Sequence, residues 1–244
     1  MAMKRGEVLE ASAKVAVRAH FAPQIKLALR IFNLGSEIIQ LPPEGEKLSK
    51  CEIVRRLLLQ RIVTDLRCST ILSELGYGIQ AAAHATSIFE AWVTIAAIKE
   101  EADAIRWLNH TRKDISFDKI KKLLRTALGS TPEKKPGDRE RLIARHYAHY
   151  GELCMTKHLN PIVERARGFV LVGDRTKFVH GPDVSKQGLH HVRFALQSSA
   201  LHAWFALIAF TRGRRLSQEM LLEMKGISRQ IRGQEPQSEF RPIE

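Results

Sequence analysis

The sequence predicts an all-α protein built as an antiparallel helical bundle, and three stretches carry that expectation. In the first, Gly76 to Glu101, Ile79, Ala82, Thr86, Phe89, Val93 and Ala96 recur at alternating steps of three and four, the spacing that stacks side chains on one helix face. Ala81, Ala83, Ile88, Trp92, Ile95 and Ala97 cover much of the remaining surface, so this helix is apolar nearly all round and belongs at the centre of a bundle. The second stretch runs from Ser49 to about Glu74 and opens with a capping-box spacing, Ser49 three residues before Glu52. Gly76-Tyr77-Gly78 is short enough to fold these two helices back on each other. The third, about Ser185 to Thr211, keeps the three–four rhythm through Leu189, Val192, Leu196, Ser199, Ala203, Ala206 and Phe210. Its small residues Ser199, Ala203 and Ala206 would let another helix approach closely, and a homodimer through that face is expected.

The remaining elements follow in order. Residues 7–20 form a mixed helix, and Pro23 suits the first turn of a second one, where its missing N–H is not needed. Ile25, Leu29 and Phe32 line that helix and Gly35 is its expected stop. Leu41-Pro42-Pro43-Glu44-Gly45 breaks the chain before Ser49. In the second stretch Ile53, Leu57, Ile62, Leu66 and Ile71 make the expected apolar stripe, with Arg55, Arg56, Arg61, Asp65 and Arg67 on other sides. A short element at Ala102 to Leu108 precedes helices at about Ser116–Leu128 and Asp138–Met155, separated by the loop Gly129 to Gly137. The apolar run Gly168 to Gly173 reads as a buried helix or an extended connector, too isolated to make a sheet. Arg212, Arg214 and Arg215 open a basic helix reaching about Ile231. The expected organisation is an N-terminal helical extension (1–48), a bundle (49–211), and a basic helix with a tail (212–244).

At 244 residues the chain is long enough for one substantial core. No run approaches the roughly 18 uninterrupted apolar residues of a membrane span. Glu7 and Glu10 stand where a signal-peptide core would lie, so no membrane association and a cytoplasmic location are expected. Cys51, Cys68 and Cys154 are odd in number and widely spaced, which suits reduced core thiols. The net charge of +13 is the strongest global clue to partners. It suits a polyanion such as nucleic acid, or equally a solvated basic surface or a subunit with an acidic partner.

Glycine-rich phosphate loops, HExxH and GxSxG are absent, and no cofactor is expected. His146-x-x-His149 and His190-His191 lack a companion ligand, so they read as polar surface histidines and no metal is expected. Trp92, Trp107 and Trp204 read as core or interface anchors. Arg175 and His180 form a more chemical pair. A guanidinium steadies charge on a phosphate, and an imidazole exchanges protons near neutral pH, the minimum for metal-free RNA cleavage by a 2′-hydroxyl. Glu90, a lone acid in an apolar helix, either faces solvent or meets an arginine from another helix.

The G-Y-G-x-Q-A…F-E central helix and the R-x4-H element at Arg175–His180 resemble the HEPN superfamily, or a bacterial all-helical domain of unknown function related to it. The resemblance covers roughly residues 50–210. It implies an all-α bundle, often dimeric, in toxin–antitoxin or phage-defence systems, with an antitoxin or defence protein as a further partner. It also implies that Arg175 binds the phosphate, that His180 is catalytic and that Glu90 is the central-helix acid. Tyr150 to His158 resembles a stretch of the related domain, which makes His158 a second candidate histidine. Lys177, Arg212, Arg214 and Arg215 are the cations expected along an RNA backbone. The expected function is therefore RNA binding with metal-independent cleavage. Its rival is a non-enzymatic scaffold or regulatory subunit holding a protein or nucleic acid.

Overall fold

The computed structural model describes residues 5–43, 48–109, 117–129, 135–157, 169–172, 175–178 and 181–232. Eight helices lie within them: α1 (Arg5–Ile39), α2 (Lys50–Glu74), α3 (Gly78–Ala97), α4 (Glu101–Leu108), α5 (Phe117–Leu128), α6 (Asp138–Lys157), α7 (Lys186–Thr211) and α8 (Gln218–Ile231). A single antiparallel strand pair, β1 (Phe169–Val172) with β2 (Arg175–Phe178), accompanies them. The protein is all-helical in architecture, as its periodicity predicts.

The centre is α3, packed most extensively against α7 and α2, with α6 and α5 on its other sides. Thirteen of its twenty residues are buried, from Gly78 to Ile95. Gly78 makes the closest approach possible. A Cβ there would lie 2.5 Å from the Val192 backbone nitrogen, so the first turn of α3 rests directly on the α7 backbone. Gly76, at φ +83°, makes the reversal from α2 in a conformation that side chains resist.

Helix α1 is two helices joined at Phe21, whose φ of −129° and ψ of 18° break the helical path two residues before Pro23. The second of them does not stop at Gly35 as expected. A Cβ at Gly35 would sit 2.7 Å from Val63 Cγ2 and 3.5 Å from Leu207 Cδ2, so this glycine serves helix packing and the helix continues to Ile39.

Helix α2 starts as predicted, with Ser49 Oγ accepting from the Glu52 amide at 3.1 Å. Its buried face differs from the expected stripe. Val54, Leu58, Leu59, Ile62, Val63 and Leu66 are buried together with Ser69, Thr70 and Ser73, whereas Ile53, Leu57 and Ile71 are 40%, 50% and 39% exposed. Small hydroxyl residues occupy the tightest contacts: Ser69 Oγ donates to the Ala81 carbonyl at 3.0 Å and lies 2.8 Å from Ser199 Oγ. A stripe drawn through apolar residues alone misses that face.

The strand pair corrects the expectation that the run at residues 168–173 is too isolated to make a sheet: Phe169–Val172 is extended, one of the two alternatives, and pairs with β2. Phe169 lies opposite Phe178 and Val172 opposite Arg175. Two short β-prone runs flank Gly173-Asp174, a dipeptide of the kind that joins hairpin strands.

Helix α7 is capped by Ser185 Oγ, which accepts from the Gly188 amide at 3.1 Å. It is long and apolar enough to cross a bilayer, but 72% of its most apolar window is buried against the other helices. Ser199, Ala203 and Ala206 are buried inside the chain, so the face expected to receive a second copy is filled by α2 and α3 instead. Helix α8 begins at Gln218 under a Ser217 cap, later than the expected Arg212, and Arg30 of α1 grips its Glu223 through two bonds of 2.7 and 2.8 Å. Leu27 to Ile38 of α1, together with Ile227 and Ile231 of α8, join the same core as α2, α3 and α7. All three cysteines are free; Cys154 is buried, Cys51 and Cys68 partly so.

Candidate functional site

Of the residues singled out by sequence, Glu90 has the clearest surroundings. Lys157 Nζ lies 3.0 and 2.9 Å from its two carboxylate oxygens, and the Tyr150 hydroxyl donates to Oε1 at 2.9 Å. The expected arginine partner is thus a lysine, supplied by the last turn of α6. Tyr150 stacks on Phe89 at 5.0 Å between ring centroids, and its burial holds the hydroxyl protonated far above the usual range. Burial likewise pushes the Cys154 thiol up. Glu90 ties α3 to α6.

Arg175 and Lys177 stand in β2, with their backbones opposite Val172 and Val170. His158 and His180 lie outside the described residues. Arg214 is a core residue. Its side chain is 4% exposed; it pairs with Glu52, donates from Nε to the Phe210 carbonyl at 3.1 Å, and covers the Phe210 ring at 4.2 Å. Arg55 joins it there by donating to the Ala209 carbonyl at 2.6 Å. Two guanidinium groups thus satisfy the open carbonyls and the negative end of α7, which withdraws Arg214 from the expected RNA-facing set. Arg212 and Arg215 are exposed on the same turn.

His146 and His149 are buried, against the expectation of surface histidines. They meet fully buried His202 of α7, at ring-centroid distances of 6.2 and 5.3 Å, among Phe89, Trp92 and Phe205. Their aromatic bodies pack as core, and Ser198 Oγ lies 3.1 Å from His149 Nε2. Burial holds His146 down to about 4 and His202 well below the ordinary histidine range. Among the described residues no three histidine, cysteine or acidic side chains are arranged to hold a metal ion.

A second polar cluster went unread in the sequence. Helix α2 supplies Arg61 and Asp65 to a point where α3 presents His84 and Ser87. His84 Nδ1 lies 2.9 Å from Asp65 Oδ1, and Arg61 Nε donates to Ser87 Oγ at 3.0 Å while standing 3.6 Å from Asp65 Oδ2. The Asp65 carboxylate is 16% exposed, against 34% for His84 and 66% for Arg61. Burial raises the pKa of Asp65, but the hydrogen bond from His84, with the nearby Ser87 hydroxyl and the charges of His84 and Arg61 beside it, outweighs burial and keeps the carboxylate ionised. The only sequence signal was the four-residue spacing of Arg61 and Asp65, common on any helix surface.

Comparison of the chain with family models, curated proteins and solved structures gives no match.

Proposed function

We propose that the protein is a cytoplasmic, HEPN-like helical bundle that binds RNA and cleaves it without a metal, in a phage-defence or toxin–antitoxin setting. The observation that carries this reading is the net charge of +13 on an all-helical chain. Exposed cations include Lys122 and Arg125 of α5 and Arg141 and Arg145 of α6, of which Arg125 and Arg141 face Glu140 and Asp138. Phosphate contacts release counterions, so affinity for single-stranded RNA should fall steeply with salt, by about 50-fold between 50 and 200 mM for about four contacts. A flat salt response in a fluorescence-anisotropy titration would leave the charge as an incidental surface property.

On this reading Arg175 steadies the phosphate and His180 exchanges the proton. Arg175→Ala and His180→Ala should each abolish turnover of purified RNA with helical content unchanged. Full activity in both variants would remove that pair. A homodimer remains part of the proposal, through a surface other than the buried Ser199–Ala206 face, with an antitoxin or defence protein as partner. The non-enzymatic scaffold is favoured by one observation: Glu90, the acid implied by the resemblance, is bonded on both oxygens by Lys157 and Tyr150. Host-growth arrest on expression, relieved by His180→Ala, supports the enzyme; no arrest and no turnover support the scaffold.

A further inference from the structure

The face of α3 that reaches solvent passes through Gln80, His84, Glu90 and Thr94, with Ser87 buried between His84 and Glu90. Helix α2 meets it at His84 and Ser87, and α6 meets it one turn further on, at Glu90. We infer that Arg61, Asp65 and His84 form an acid–base centre on this face for the phosphodiester of a ribonucleotide, an inference that rests on the RNA-cleaving reading above and assigns its proton and phosphate roles to His84 and Arg61 in place of His180 and Arg175.

The chemistry follows from what each group has left to offer. A carboxylate can only accept, so the bond from His84 to Asp65 places the ring proton of neutral His84 on Nδ1 and leaves the lone pair on Nε2. Asp65 fixes the ring and stabilises it once it is protonated, as a carboxylate does behind a catalytic imidazole. Arg61 flanks the same carboxylate. Its Nε is held by Ser87, and among the described residues its two terminal amino groups make no hydrogen bond, which leaves a fork of donors for the non-bridging oxygens of a phosphate. Guanidinium and imidazole therefore flank one carboxylate, on two helices, and among the described residues each keeps one functional edge uncommitted.

In the step this supports, His84 Nε2 takes the proton of the 2′-hydroxyl as O2′ bonds to phosphorus. The P–O5′ bond breaks, the 5′-oxygen leaves with a proton from water, and the imidazolium releases its proton to solvent. The products are a 2′,3′-cyclic phosphate and a 5′-hydroxyl, with no oxidant, metal or net water consumed. Arg61 neutralises charge on the pentacoordinate phosphorus.

The test is cleavage of the dinucleotide UpA by the full chain, followed by chromatography. His84→Gln should lower kcat by about 100-fold or more, with KM within about threefold, because a general base acts in the transition state. Arg61→Gln should raise KM and lower kcat together. Asp65→Asn, which removes the charge that stabilises the protonated ring, should move the acid limb of the kcat/KM profile to lower pH. Wild-type rates in His84→Gln, with His180→Ala inactive, would overturn this centre and leave RNA cleavage itself standing. If the wild-type chain turns over no RNA, the cleavage reading fails, and ligand titration with the 2′-deoxy dinucleotide decides the binding site alone. Saturable movement of the His84 ring resonances, lost in Arg61→Gln, supports it; unmoved resonances overturn it.

Discussion

At the scale of single residues, burial separates cations that look alike in sequence. Arg212, Arg214 and Arg215 share one basic turn, and nothing in their spacing distinguishes the middle one. In the fold, Arg214 lies under α7 with Glu52 and the Phe210 ring, while its neighbours are exposed. Deleting one partner of a buried pair leaves the other charge uncompensated, although Glu52 would keep Arg56 at 2.5 Å. Arg214→Ala should therefore cost about 2–3 kcal/mol in urea unfolding, a discount from the full loss of a buried partner. RNA affinity in the folded variant should stay within about twofold. Arg215→Ala should show the reverse, a stability change under about 0.5 kcal/mol and weaker RNA binding. Glu90 illustrates the same limit on reading a sequence. Its need for a partner was legible from the cost of burying a lone acid, but Lys157 lies 67 residues away and carried no signal.

At the scale of elements, α2, α3, α6 and α7 were legible nearly to their ends, because cap residues and long apolar periods are local properties of the chain. The apolar face of α2 and the role of Gly35 were not, because they depend on what packs against them. Ile53 and Leu57 fit a stripe as well as Val54 and Leu58 do, and only the positions of α1, α3 and α7 decide between them. Arg61, Asp65 and His84 likewise meet only once α3 is folded against α2. Glycines state the packing most sharply. A Cβ at position 78 would fall 2.5 Å from one backbone atom of α7 and 2.7 Å from another, and backbone cannot turn aside as a side chain can. Gly78→Ala should destabilise by about 3 kcal/mol, at the upper end of overpacking costs. Gly35→Ala meets chiefly the Val63 side chain, at 2.7 Å, and should cost less. Thermal or chemical unfolding of the two variants side by side checks the order; equal costs would refute close backbone contact between α3 and α7.

For the whole molecule, the buried histidines couple the core to pH. Helices α6 and α7 bring His146, His149 and His202 together although their sequence positions span 56 residues, and a separate contact buries His191 near the start of α7. Burial holds both His146 and His191 at about 4, with the nearby charge of His149 and His190 respectively adding to the effect. An unfolded chain binds a proton at each of these rings near pH 6.5, while the folded chain refuses it until about pH 4. Their neutral burial is therefore fully compatible with the fold above pH 6.5, and stability declines as pH falls from 6.5 toward 4, by roughly 1.4 kcal/mol per unit for each histidine. The window differs from that of Asp65, whose lowered pKa puts its loss below the ordinary carboxylate range. His202 should add to the slope, since its ring is fully buried and, among the described residues, neither nitrogen has a hydrogen-bond partner of good geometry. Urea midpoints between pH 7.5 and 5 should thus drop by the equivalent of several kcal/mol. His202→Phe keeps the aromatic contacts with Phe89 and Trp92 and removes two orphaned polar atoms. It should leave stability at pH 7.5 within about 1.5 kcal/mol and make the decline shallower. An unchanged slope in that variant would place the acid response outside the histidine cluster.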